Sequence, residues 1–172
     1  MELERAIRTR RTHKAFGSEP VAPDVLEELF ELARWAPNHH LTNPWRFRVL
    51  GPQTVARLKE IADAVNPGSA GKLDRAPTLV VASAYRSGDA VQQSEDLLAS
   101  AVAAYLVLLG AHGRGLAGYW RTLPFLDSPA GRGALALQDT ETPIGLLHLG
   151  APRQQQRVPE RAPIEAFVSY TS

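Results

Sequence analysis

The chain has no cysteine among its 172 residues. That excludes disulfides, thiolate nucleophiles, cysteine-ligated zinc and iron–sulfur clusters, and it is compatible with a reducing cytoplasm. Net charge is nearly absent as well: 19 Lys and Arg against 18 Asp and Glu leave +1. No broad polyanion-binding surface is implied, and a nucleic-acid function loses weight. The start, Met1-Glu2-Leu3-Glu4-Arg5, has no apolar h-region of a secretory signal. The longest apolar stretch, Ala99 to Ala111, is interrupted by Ser100 and falls short of the roughly 20 residues a bilayer demands. A buried helix is expected there, no membrane span, and a cytoplasmic protein.

Several signature loops are missing too. Residues Asn66 to Leu73 approach a Walker phosphate loop, but Asn66 replaces its first glycine and Leu73 its metal-binding hydroxyl. No G-x-G-x-x-G follows a strand, and no G-x-S-x-G elbow occurs. His39 and His40 are adjacent, and sequence neighbours rarely converge on one ion. No metal site is expected.

What is present starts with Arg10-Arg11-Thr12-His13-Lys14-Ala15-Phe16, after a short amphipathic helical pattern in Met1–Arg8. Arg10 and Arg11 can fork onto an oxyanion, and Thr12 adds a neutral donor. In an extended segment Arg10, Thr12 and Lys14 face one way, since strand side chains alternate. Basic residues ending a helix also simply complement its dipole, so this segment alone does not decide for a site. Trp45 reads as a core residue, whereas Trp35 and Trp120 are candidates for a wall against a flat ring.

The periodicity predicts helices over 23–36 and 53–65, a strand over 45–50 and a buried strand over 78–85. The longest helical pattern, 92–109, is apolar nearly all round, so it should be central and could pack against a second subunit. A short strand at 119–122, a helix over 128–137 and a strand over 143–149 follow. The tail 151–161 should be extended, with 164–170 as a final strand. With 172 residues and 44% hydrophobic content, the chain suits one compact α+β or α/β domain with a sizeable core.

Three segments stand in order: Arg10 to Phe16; Ala36-Pro37-Asn38-His39-His40-Leu41-Thr42-Asn43-Pro44-Trp45; and Gly118-Tyr119-Trp120-Arg121-Thr122. With the long helix and the closing Leu149-Gly150-Ala151-Pro152, they resemble the nitroreductase family of FMN-dependent oxidoreductases. The likeness is greatest to its compact branch, which carries a Trp-Arg-Ser/Thr motif. The resemblance implies a single nitroreductase-like FMN-binding domain over 1–172: an α+β fold with a central, mainly antiparallel sheet ringed by helices, in an intertwined homodimer with FMN at the subunit interface.

By the same resemblance, Arg10, Arg11 and Thr12 hold the ribityl phosphate, and Lys14 lies near the pyrimidine end of the ring, where it can act electrostatically. Trp35 and His39 belong to a segment that reaches the partner's flavin, and Trp120, Arg121 and Thr122 complete the pocket. Arg161 is a further phosphate candidate, while Leu41 and Asn43 depart from the common pattern of their loop. The implied activity is ping-pong hydride transfer from NADH or NADPH through flavin N5 to a flat, electron-poor acceptor such as a nitroaromatic or quinone. The flavin performs the chemistry and no side chain is catalytic. The alternatives are a non-enzymatic dimeric flavin-binding protein, or a same-fold flavoenzyme of different reaction (dehalogenation, enone reduction, flavin breakdown).

Overall fold

Helix α4, Ala90–Gly113, is the longest element and organises the rest. Its start is fixed by Asp89, whose carboxylate accepts from the backbone N–H groups of Val91 and Gln92, two donors no helical carbonyl can satisfy. It is longer than the sequence pattern predicts. At 24 residues it meets the length and composition of a membrane span, and is the one helix that does so among the described residues. Here, however, one face of it is built into the core: Ala99, Ala103, Ala104, Val107, Leu108 and Ala111 are all buried.

A computed structural model describes residues 1–171. Before α4 come α1 (Leu3–Thr9), α2 (Pro23–Ala33), β1 (Trp45–Val49), α3 (Pro52–Val65) and β2 (Thr78–Tyr85). After it come β3 (Ala117–Arg121), α5 (Pro129–Leu135) and β4 (Glu141–Gly150). The four strands form one sheet in the order β1-β2-β4-β3, every pair antiparallel. The mainly antiparallel sheet is therefore fully so.

Alternation along the central strands builds two cores, one on each face of the sheet. Val80, Ala82, Leu147 and Leu149 meet α2 and α4 on one face. Leu79, Val81 and Leu146 meet Leu58 and Ala62 of α3 and Leu135 of α5 on the other. Between Ala82 and Ser83 the register shifts, opposite Gly145 and Pro143. This bulge turns the Ile144 carbonyl towards Trp120, whose indole N–H donates to it at 3.0 Å.

The free edge of β3 is covered by the segment after α1. Thr12 bridges Gly118 in parallel and Phe16 bridges Pro152, while the His13 N–H donates to the Gly118 carbonyl at 3.2 Å. The expected final strand at 164–170 does not form. A single 3-10 turn, Ile164–Ala166, stands there instead, and every residue from Arg157 to Thr171 is exposed. The edge of β3 at Gly118 is taken by Thr12, and residues 15–17 pair with 151–153 just beyond β4.

Candidate functional site

The parallel bridge at Thr12 lays the basic segment alongside β3, so the first and third motifs become one surface. The Arg10 guanidinium lies over the Tyr105 ring of α4, 5.7 Å from its centroid. Thr12 is exposed beside Gly118, whose missing Cβ leaves room for Leu108 of α4 to pack onto β3. Lys14 is also exposed, at a bend in the chain. No carboxylate lies within ion-pairing distance of Arg10 or Lys14 among the described residues.

Arg11 departs from the expected grouping. Its Nη1 donates to the carbonyls of Arg8 (2.7 Å) and Arg10 (2.8 Å), so the side chain folds back on the end of α1. It lines a cleft with Thr9, His13 and His112, separate from the surface bearing Thr12 and Lys14.

In β3, Trp120 and Arg121 project to opposite faces. Trp120 is half-buried against the α2/α4 core, and its indole N–H is spent on Ile144. Arg121 lies over the Tyr119 ring at 5.0 Å, its Nε donates to the Tyr119 hydroxyl at 3.3 Å, and its Nη1 is buried with no partner. Tyr119 packs in turn against His148 of β4. Burial, with Arg121 and Arg75 nearby, holds the pKa of His148 below its ordinary value, so the ring stays neutral. Thr122 is exposed at the end of the strand.

The second motif forms a loop with a strained backbone. His40, Leu41 and Asn43 have φ of 54°, 52° and 45°, left-handed values that cost a residue with a Cβ roughly 1–2 kcal/mol each, least for Asn. Hydrogen bonds hold it. The Thr42 hydroxyl donates to Asp96 at 2.6 Å, the Asn43 N–H donates to Asn38 Oδ1 at 2.9 Å, and His39 Nδ1 lies 2.9 Å from Glu95 Oε2. Asp96 is 1% exposed and also accepts from the N–H and hydroxyl of Ser87 and from Gln92. Burial alone would raise its pKa; these four donors more than reverse that and hold it below the ordinary carboxylate value. Trp35 and Leu41 stand out from this loop at 74% and 77% exposure.

Within one chain the two halves of the candidate site stay apart. His39 is tethered at Glu95 and Arg10 lies on Tyr105, both on α4. Ten residues of helix separate those anchors by about 15 Å. The sequence did not single out Tyr105, Glu95 or Asp96. For Asp96 a signal existed: it occupies the same helical stripe as Ala99, Ser100 and Ala103, an acidic residue on a face otherwise fit for the core.

Comparison with known proteins bears on the fold. Residues 7–72 match the model of the nitroreductase family, a span holding the first two motifs. The chain is superimposable on a nitroreductase-like family protein from Bacillus cereus with a TM-score of 0.89, over 99% of this chain and 96% of that one, at 22% identity. The fold is that of the nitroreductases. An NADPH:FMN oxidoreductase from Vibrio harveyi, solved with NAD+, shares this nitroreductase-like fold with a TM-score of 0.83 at 16% identity, over 98% of this chain and 76% of that one. In sequence, the provisionally named NAD(P)H nitroreductase YfhC of Bacillus subtilis is 27% identical over 94% of this chain and 90% of its own length.

Proposed function

We propose that this chain is an FMN-dependent NAD(P)H oxidoreductase of the nitroreductase family, one cytoplasmic domain working as a homodimer. It takes hydride from a reduced nicotinamide and passes it to a flat, electron-poor acceptor such as a nitroaromatic or quinone. The observation that carries this reading is the Thr12–Gly118 bridge, which joins an unpaired basic segment to the Trp120-Arg121-Thr122 strand. The nicotinamide- and FMN-dependence named for its relatives supports it.

The residues present fit such a cofactor. Arg10 and Thr12 offer a charged fork and a hydroxyl to the phosphate, and Lys14 is a free cation further along. Arg121 holds a buried Nη1 without an acceptor, so an anion nearby would satisfy it. When bound, FMN would supply the hydride-accepting and hydride-donating chemistry. The chain's own part is to grip the phosphate through Arg10 and Thr12, to place the Lys14 charge by the ring, and to exclude water with Trp35 and His39 from a second subunit. Arg11 adds positive charge from the far side of its strand, and Trp120 acts by fixing β3.

A second subunit accounts for two features. It would bring the loop of one chain to the Arg10 surface of the other, closing the gap of about 15 Å along α4. It would also cover Val91, Leu97, Leu98 and Val102, apolar residues of α4 that are at least 40% exposed.

An absorbance spectrum of the purified protein, followed under anaerobic NADH and then NADPH, tests the reading. A flavin spectrum that bleaches within seconds is expected. A colourless protein that rejects added FMN overturns it, and bound FMN that no nicotinamide bleaches leaves a flavin carrier in place of an enzyme.

A further inference from the structure

Thr9, Arg11 and His13, alternate residues along one side of the segment that Arg10 and Thr12 occupy, open onto a cleft of about 760 Å³. Its opposite walls are His112 at the end of α4, Gly115 and Leu116 after it, and the tail from Pro152 to Gln156 with Val158. This is within the size range of small-molecule pockets.

The charge of this cleft is one-sided. Arg11, Arg153, His13 and His112 line it, and no Asp or Glu does. Neither arginine has a carboxylate partner among the described residues. Burial first, then the positive charge of Arg10, holds His13 below its ordinary pKa; burial, Arg10, His13 and Arg11 do the same to His112. The potential is therefore positive with no counter-charge supplied by the fold.

Six buried side-chain nitrogens or oxygens lack a partner among the described residues, and three belong to lining residues: Arg11 Nε, His13 Nδ1 and Gln156 Nε2. These atoms lie beneath the cleft surface, so its polar recognition falls to the exposed ends of the side chains. Between the basic groups, Met1, Leu116, Pro152 and Val158 present apolar surface.

We propose that this cleft is a second ligand site, separate from the Arg10–Thr12 surface, and that it takes a small molecule carrying an oxyanion on an apolar body. Arg153 grips the oxyanion, which is a phosphate or a carboxylate, as a forked cationic donor, and Arg11, its Nη1 held by the Arg8 and Arg10 carbonyls, adds its charge from the opposite wall. His112, whose Nε2 lies 2.8 Å from the Thr9 hydroxyl, closes the wall beside them. Leu116 and Val158 flank the remainder. The site stands on its own residues and survives a failure of the flavin reading.

Calorimetric titration of the protein as purified, with inorganic pyrophosphate and separately with benzoate, decides the matter. One saturable site per chain is expected for at least one probe, and the better binder identifies the oxyanion. Arg153→Gln should weaken it about tenfold, the loss of one hydrogen bond to a charged group, with flavin content and melting temperature unchanged. No saturable binding overturns the proposal, as does binding that Arg153→Gln leaves intact. Loss of bound flavin in Arg153→Gln overturns it too, because the cleft would then hold the cofactor's own phosphate.

Discussion

Thr42 donates from its hydroxyl to Asp96 at 2.6 Å, and this contact ties a loop of left-handed residues to the buried face of the longest helix. Removing the donor leaves Asp96 with three remaining partners, whereas removing the charge affects all four bonds. Thr42→Val should cost about 1 kcal/mol of stability and Asp96→Ala about 3 kcal/mol. Chemical denaturation measures both, and equal costs would show that Asp96 is not the hub.

Glu141 gives a second buried carboxylate and a pH prediction. Arg48 grips it with two bonds, 2.6 and 2.7 Å, and the Ser83 hydroxyl donates at 2.7 Å. Burial opposes ionisation, but the Arg48 and Ser83 hydrogen bonds and the Arg48 charge outweigh it and lower the pKa. Asp96 is lowered likewise. For a lowered carboxylate the unfolded chain binds protons first on acidification. The stabilisation is thus full above the unfolded pKa, about 4, and is lost as pH falls through the folded value. Thermal melts should show acid destabilisation below about pH 4, shallower in Glu141→Gln. A variant with the wild-type slope would remove Glu141 from that role.

Gly131 opens α5 where a Cβ would run into the Phe125 carbonyl oxygen and the backbone of Leu126. Backbone cannot rotate away as a side chain can. Gly131→Ala should therefore destabilise by about 2–3 kcal/mol, although alanine is the better helix former. Gly133, two residues on, meets nothing within 4 Å, and Gly133→Ala should be neutral or stabilising. Denaturation midpoints of the pair provide the check, and the same sign in both would refute it.

Arg10→Ala should weaken FMN binding by about 1.5–3 kcal/mol, the range for hydrogen bonds to a charged group. Flavin fluorescence titration reads this directly. Arg11→Ala, whose guanidinium is turned onto the carbonyls of Arg8 and Arg10, should weaken it less. The reverse order would mean that Arg11 swings out to the phosphate.

The strands and helices were legible because their patterns are local. Thr78 to Tyr85 is apolar at nearly every position and became the doubly covered β2; the helix ends fell at Pro23, Pro52 and Pro129, where proline's missing N–H does no harm. The motifs were legible as residue types but not as directions. Nothing in Arg10-Arg11-Thr12 tells which arginine turns back on α1, since that depends on two carbonyls freed at a helix end. The setting of the Trp120 ring depends on a bulge in β4, invisible in either strand's own pattern, that offers its indole an acceptor. The final strand was not legible either: its own residues suit a sheet, but strand formation depends on a neighbouring edge that its local pattern does not reveal.

The pairing of the first basic segment with β3 has a consequence for biosynthesis. Thr12 meets Gly118 and Phe16 meets Pro152, contacts that bridge more than half the chain and close late because their loop entropy is large. While the polypeptide is still emerging from the ribosome, its first basic segment has nothing to lie against. Under the proposed flavin reading, the cofactor surface is complete only once Gly118 and Pro152 are in place, and fragments truncated before Gly118 should emerge colourless.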